Sequence, residues 1–123
     1  MNYTFLEGCP VRTTFDGLTE GTPSKALNCN GAINEALLSV EGATTVDMTV
    51  EACVNNKDLN GNLLDDDECT WVTVALINAS TFEVVEKVED NGAYHLSLGG
   101  FSKVRVNPTT LTGDSIVTLI KVD

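Results

Sequence analysis

The residues best equipped for chemistry gather in one stretch, Lys57-Asp58-Leu59-Asn60-Gly61-Asn62-Leu63-Leu64-Asp65-Asp66-Asp67-Glu68. Asp58, Asn60 and Asn62 alternate, as do the first three ligands of a loop that supplies oxygens to a hard cation. With Asp66 and Glu68 they form a candidate calcium set: Asp58, Asn60, Asn62, Asp66 and Glu68. The stretch is not an EF-hand. Gly61 holds the fourth position instead of the sixth, Cys69 falls at the twelfth, and no helical pattern flanks the loop. Calcium accepts irregular oxygen cages, so a looser site stays open. The plainer reading is a solvated acidic hairpin loop, which offers a surface to a basic partner even without metal. Nothing indicates any other cofactor.

Four cysteines, Cys9, Cys29, Cys53 and Cys69, lie around this loop and along the N-terminal segment. There is no Cys-x-x-Cys, so the compact zinc knuckle is absent. Thiols, disulfides and a metal site all remain open. Cys53 closes one expected strand and Cys69 precedes the next. If those strands pair, the two sulfurs stand at the mouth of one loop and can bridge. Closing about 17 residues is worth roughly 3 kcal/mol in the chain-entropy model. In a reducing cytosol the pair stays as thiols. Cys9 and Cys29 are then the remaining pair.

Catalytic constellations are thin. His95 is the sole histidine and shares a strand face with Ser97. A hydrolytic triad needs a positioned serine and an oxyanion hole, and no Gly-x-Ser-x-Gly marks either. The expectation is a surface or cross-strand histidine, and no enzyme. Lys103 and Arg105 alternate on one strand face, where cross-strand acidic partners are the favoured reading. Gly99-Gly100 is a turn without the length or lysine of a phosphate loop. Asn78-Ala79-Ser80 fits the glycosylation pattern by coincidence.

The elements that must position these groups read as β. With 123 residues the chain is of one-domain size. Aromatics are sparse, so the core must be mostly Val, Leu and Ile. Val46 to Val54 alternates strictly, because successive side chains of a strand point to opposite faces. Further strands are expected at Leu37–Glu41, Thr70–Ile77, Phe82–Val88, Gly92–Leu98, Ser102–Val106 and Asp114–Val122. Turns fall at Asp90-Asn91-Gly92, Gly99-Gly100 and Asn107-Pro108. Thr70–Ile77 is apolar on both faces, as a central strand is. About seven closely spaced strands without a long helix predict an all-β, antiparallel β-sandwich, jelly-roll or Ig-like, over residues 36–123. Its expected core includes Val46, Met48, Val50, Trp71 or its neighbours, Val84, Tyr94, Leu96, Val104, Val106 and Ile116. Residues 1–35 are rich in glycine, proline, threonine and asparagine and read as an extended N-terminal arm. A short strand is expected at Tyr3–Leu6 or Val11–Phe15. The arm either wraps its own domain or reaches a neighbour.

Charge narrows the partners. The net charge is −11, from 18 acidic against 7 basic residues. Such a surface repels phosphate backbones and anionic membranes. No run approaches the roughly 20 apolar residues of a spanning helix. The first residues lack the basic and apolar regions of a signal peptide, so the expectation is either that the chain stays where it is made or that an export signal has been replaced.

The order of these elements resembles the small β-sandwich structural proteins of tailed-phage virions: head-decoration or cement proteins, head-fibre bases, and tail or neck accessory proteins. The likeness rests on the alternating strand Val46–Val54, the Trp-Val-Thr-Val of Trp71–Val74 and the Gly-x-Tyr-x-Leu-x-Leu-x-Gly-Phe of Gly92–Phe101. Val-Arg-Val at 104–106 and the Thr/Gly turn into Ile-Val-Thr-Leu at 112–119 complete it. It spans residues 36–123 and leaves out the arm and the acidic loop. The resemblance implies a non-enzymatic virion structural protein assembled in the host cytoplasm. Capsid decoration is the leading version and a tail or neck accessory the other. The implied partners are the major capsid protein or another virion protein, together with copies of the chain itself, a trimer being favoured. The rival from a different class is a carbohydrate- or receptor-binding β-sandwich module, calcium-dependent through the acidic loop.

Overall fold

A computed structural model describes residues 12–29, 34–54 and 56–122. It is all-β, with ten strands in two antiparallel sheets. In chain order these are β1 Arg12–Thr14, β2 Leu27–Asn28, β3 Glu35–Glu41, β4 Thr45–Cys53 and β5 Trp71–Thr73, then β6 Leu76–Asn78, β7 Val84–Val85, β8 Gly92–Ser97, β9 Lys103–Thr112 and β10 Ile116–Lys121. The larger sheet runs β1-β10-β3-β8-β6-β7 and the smaller β2-β9-β4-β5. The expected sandwich is present.

Alternation places the core. In β4, Val46, Met48, Val50 and Ala52 are buried while Asp47, Thr49 and Glu51 are half-buried. Val104 and Val106 of β9 join them from the same sheet. Leu38 and Val40 of β3, Tyr94 and Leu96 of β8, and Val117 and Leu119 of β10 meet them from the other. Tyr94 carries a polar tip, and its hydroxyl donates to the Asp90 carbonyl at 2.7 Å. That bond fits the rule that a buried phenol finds an acceptor.

Three strands beyond the seven expected over residues 36–123 have clear origins. The described part of the arm wraps its own domain. β1 pairs with β10, within the expected Val11–Phe15 window, and β2 pairs with β9. Phe15, Leu27 and Cys29 sink into the core. Residues 12–29 therefore belong to the sandwich, whereas Tyr3–Leu6 and Cys9 lie outside the described residues. The third addition comes from Thr70–Ile77, which is two strands instead of one central strand. The chain leaves the small sheet after β5 and enters the large one at β6, burying Val74 and Leu76 between the layers. The opposite side of this segment, Val72, Ala75 and Ile77, is exposed yet apolar, so the segment looks central in sequence.

Asn107-Pro108 is not a turn. β9 runs straight through it, and the register shifts opposite Asp47/Met48. Proline lacks an N–H, and a bulge is where a strand tolerates that loss. The Met48 backbone instead exchanges hydrogen bonds with Val88, at 3.0 and 2.8 Å. The turn that does end β9 depends on Gly113, with φ +91°. A Cβ there would lie 2.7 Å from the Thr44 nitrogen.

Candidate interaction surface

The acidic loop anchors itself. Lys57 and Leu63 form a β-bridge, and Gly61 makes the turn with φ +81°. Asp58 Oδ1 accepts the backbone N–H groups of Asn60 at 2.8 Å and Asn62 at 2.9 Å. The Asn62 side-chain amide adds a donor to Oδ2 at 3.5 Å. These donors favour the ionised form, so the Asp58 carboxyl is held below its ordinary value, with the Asn62 N–H as the chief cause.

The candidate calcium ligands have partners of their own. Asp58, Asn60 and Asn62 stay in this hairpin. Asp66 faces away and forms an ion pair with Lys103 Nζ at 2.8 Å. Glu68 lies with Asp65 and Asp67, their ligand oxygens within 4.8 Å of one another. Glu68 also accepts the Asp65 backbone N–H at 3.1 Å. Among the described residues, the one acidic cluster that could hold a cation contains neither Asp58 nor Asp66. An open cleft of about 650 Å³, walled in part by Lys25, Leu64, Asp66 and Lys103, separates the loop from the arm.

The outer face of the small sheet holds the loop down. Trp71, half-buried, lies on this face instead of in the core. Its indole N–H donates to the Asp66 carbonyl at 2.7 Å. The Arg105 guanidinium sits 3.9 Å from the centre of the Trp71 ring. Arg105 Nε pairs with Glu51 Oε1 at 2.8 Å, and the two residues are direct partners in the β4–β9 register. The expected cross-strand acid is therefore present for Arg105, while Lys103 takes its acid from the loop. Burial lowers the Lys103 pKa, but the Asp66 hydrogen bond and charge outweigh it and the net shift is upward.

Cys53 and Cys69 do stand at one loop mouth. Both are thiols, and their side chains are hydrogen-bonded to each other. Cys53 is fully buried and Cys69 partly exposed. Burial and then the Cys53 sulfur push the Cys69 thiol up to about 11. Cys29, isolated in the core, is pushed up to about 12 by burial. His95 is exposed, and its register partners are Leu37 and Ile77. Ser97 Oγ donates to Glu35 Oε1 at 3.0 Å instead of pointing to His95.

The β6–β7 hairpin is the surface that sequence reasoning missed. Val84 belonged to the expected core and Phe82 opened an expected strand. Both project from the far edge of the large sheet, with Phe82 80% and Val84 70% exposed. Ile77, opposite Val84 in register, adds a third exposed apolar side chain. Asn78 organises the turn. Its Oδ1 accepts from the Ser80 N–H at 2.8 Å and its carbonyl from the Phe82 N–H at 2.8 Å. Phe82 takes φ +60°, the sole positive value outside glycine among the described residues. A left-handed conformation costs a non-glycine residue roughly 1–2 kcal/mol. The slip of parity between Val84 and Val85 was the available signal, since an irregular strand often lies at an edge. Ile116, also expected in the core, is likewise exposed, at the start of β10.

Among solved structures, this chain is similar to the SPBc2 prophage-derived protein YomS. The likeness covers 91% of each chain with a TM-score of 0.67 and 20% identity. Shared backbone at that identity establishes a shared fold. No family model matches the sequence. No curated protein matches it either.

Proposed function

We propose that the protein is a non-enzymatic structural component of a bacteriophage virion that decorates the capsid and holds neighbouring subunits together. The reading rests on one observation, the exposed apolar hairpin of Ile77, Phe82 and Val84 at an open sheet edge. A strained, solvent-facing phenylalanine destabilises an isolated domain. It is useful where a second protein covers it. Edge strands add main-chain hydrogen bonds to such a contact. Glu83, Glu86, Glu89 and Asp90 lie close in sequence to the apolar tip. The fitting partner is an apolar pocket rimmed by lysine or arginine, as a capsid subunit could present. The prophage origin of the similar protein YomS supports the phage setting. The working form is a symmetric homo-oligomer, with three copies expected.

Co-sedimentation with purified capsid shells tests this. Wild-type protein should pellet with the shells at a fixed stoichiometry, and Val84→Glu should stay in the supernatant. A monomer that ignores capsids would overturn the proposal. Calcium-dependent binding on a glycan array would replace it with the carbohydrate-binding reading.

A further inference from the structure

We propose that Cys53 and Cys69 are a disulfide-forming site, charged by a low-molecular-weight disulfide and closing the acidic loop covalently. Two thiols at the two ends of one loop carry this: Cys53 lies in register opposite Trp71, two residues after Cys69, and the two side chains are hydrogen-bonded. Cys53 is the last residue of β4, held in place by its partners Trp71 on β5 and Lys103 on β9. Cys69 stands in the bend just before β5, outside any strand. The bend supplies the small movement from thiol contact to a bond of about 2.05 Å. Alternation in β4 ends on two successive buried residues, Ala52 and Cys53. The outward-facing sulfur is thus sheltered by the loop that Cys69 terminates.

Exposure sets the order of events. Cys69 is the accessible sulfur and Cys53 the sheltered one. The Cys69 thiolate attacks the small disulfide, forming a mixed disulfide and releasing one small thiolate. The Cys53 thiolate then attacks the Cys69 sulfur, forming the Cys53–Cys69 bond and releasing the second. Two protein thiols are oxidised, one small disulfide is reduced to two thiols, and the two protein protons pass to the leaving thiolates. Lys103 and Asp66, with the Trp71 indole, already hold the loop against the sheet in the thiol form. The bond therefore locks an existing arrangement and creates no new one. This chemistry is independent of whether the protein sits on a capsid. In a virion it would separate assembly in a reducing cytoplasm from exposure to an oxidising exterior.

The test uses the full chain carrying Cys9→Ser, treated with oxidised glutathione and mapped by non-reducing peptide mass spectrometry. The expected product is a single Cys53–Cys69 cross-link, with loss of two titratable thiols and a Tm rise of about 10 °C. Cys53→Ala should stop at one glutathionyl group on Cys69. Cys69→Ser should take up none. A wild-type chain that ends as the Cys69 mixed disulfide without cross-linking would overturn the proposal. So would a cross-link to Cys29, or an oxidised protein with unchanged Tm.

Discussion

The acidic loop and the β6–β7 hairpin are both polar-looking connections beside small strands, yet they treat their functional groups in opposite ways. The loop satisfies itself. Asp58 is occupied by Asn60 and Asn62, Asp66 by Lys103, and Glu68 by the Asp65 backbone. The hairpin satisfies its backbone through Asn78 and leaves Phe82 and Val84 in water. Charge density marks where the chain must hold itself together. In the proposed reading, unsatisfied apolar area marks where a partner docks.

Breaking that contrast should have its largest effect on association. Val84→Glu and Phe82→Ala should each weaken capsid binding by about 100-fold or more, as loss of a buried apolar anchor does. Their Tm should stay within a few degrees of wild type. Binding isotherms paired with thermal melts read both quantities. Equal loss in the two would make the hairpin a structural element only.

Next comes the clamp beneath the loop. Arg105→Ala removes a half-buried ion pair and a cation–π contact together. It should cost about 2 kcal/mol of stability in urea titration. Capsid binding should be unchanged once the variant is folded.

A smaller effect with the opposite sign sharpens the comparison. Phe82→Asn relieves the left-handed strain, because asparagine enters that region readily. Stability should rise by about 0.5–1 kcal/mol while association falls. A variant that is both less stable and unable to bind would contradict the view that Phe82 is kept for contact.

The smallest change is local to the loop. Asp58→Ala should leave the global unfolding midpoint unchanged, since the carboxylate is fully exposed. It should speed hydrogen exchange at the Asn60 and Asn62 amides, which lose their acceptor. In wild type, those amide shifts should titrate with a midpoint below 3.8, the ordinary carboxyl value. The folded-state pKa is depressed, so the anchoring is present above the unfolded value and fades as pH falls through the folded one.

Much of the fold was legible in residue order. Strict alternation from Val46 announced β4 and its buried face, and Gly99-Gly100 announced a turn, whereas Gly92 already opens β8. Paired layers followed from closely spaced strands. Other features were hidden for physical reasons. Trp71 and Val84 look like core because sequence records hydrophobicity and not which side of a pleat is covered. Thr70–Ile77 hides a change of sheet, since its exposed side, Val72, Ala75 and Ile77, is as apolar as the buried Val74 and Leu76. The strand through Pro108 depends on a bulge set by its partner β4, which no local pattern reveals. Alternating oxygens at Asp58, Asn60 and Asn62 suggested a cation, and in the fold Asp58 accepts the N–H groups of its own turn. The juxtaposition of Cys53 and Cys69 was readable, because both lie at strand ends flanking one loop.

Electron cryomicroscopy of the native particle tests the central claim most directly. The sandwich should appear on the capsid shell, with the Ile77, Phe82 and Val84 hairpin seated in an apolar pocket of a neighbouring subunit. Particles that lack the chain, or that carry it with this hairpin facing solvent, would contradict the account.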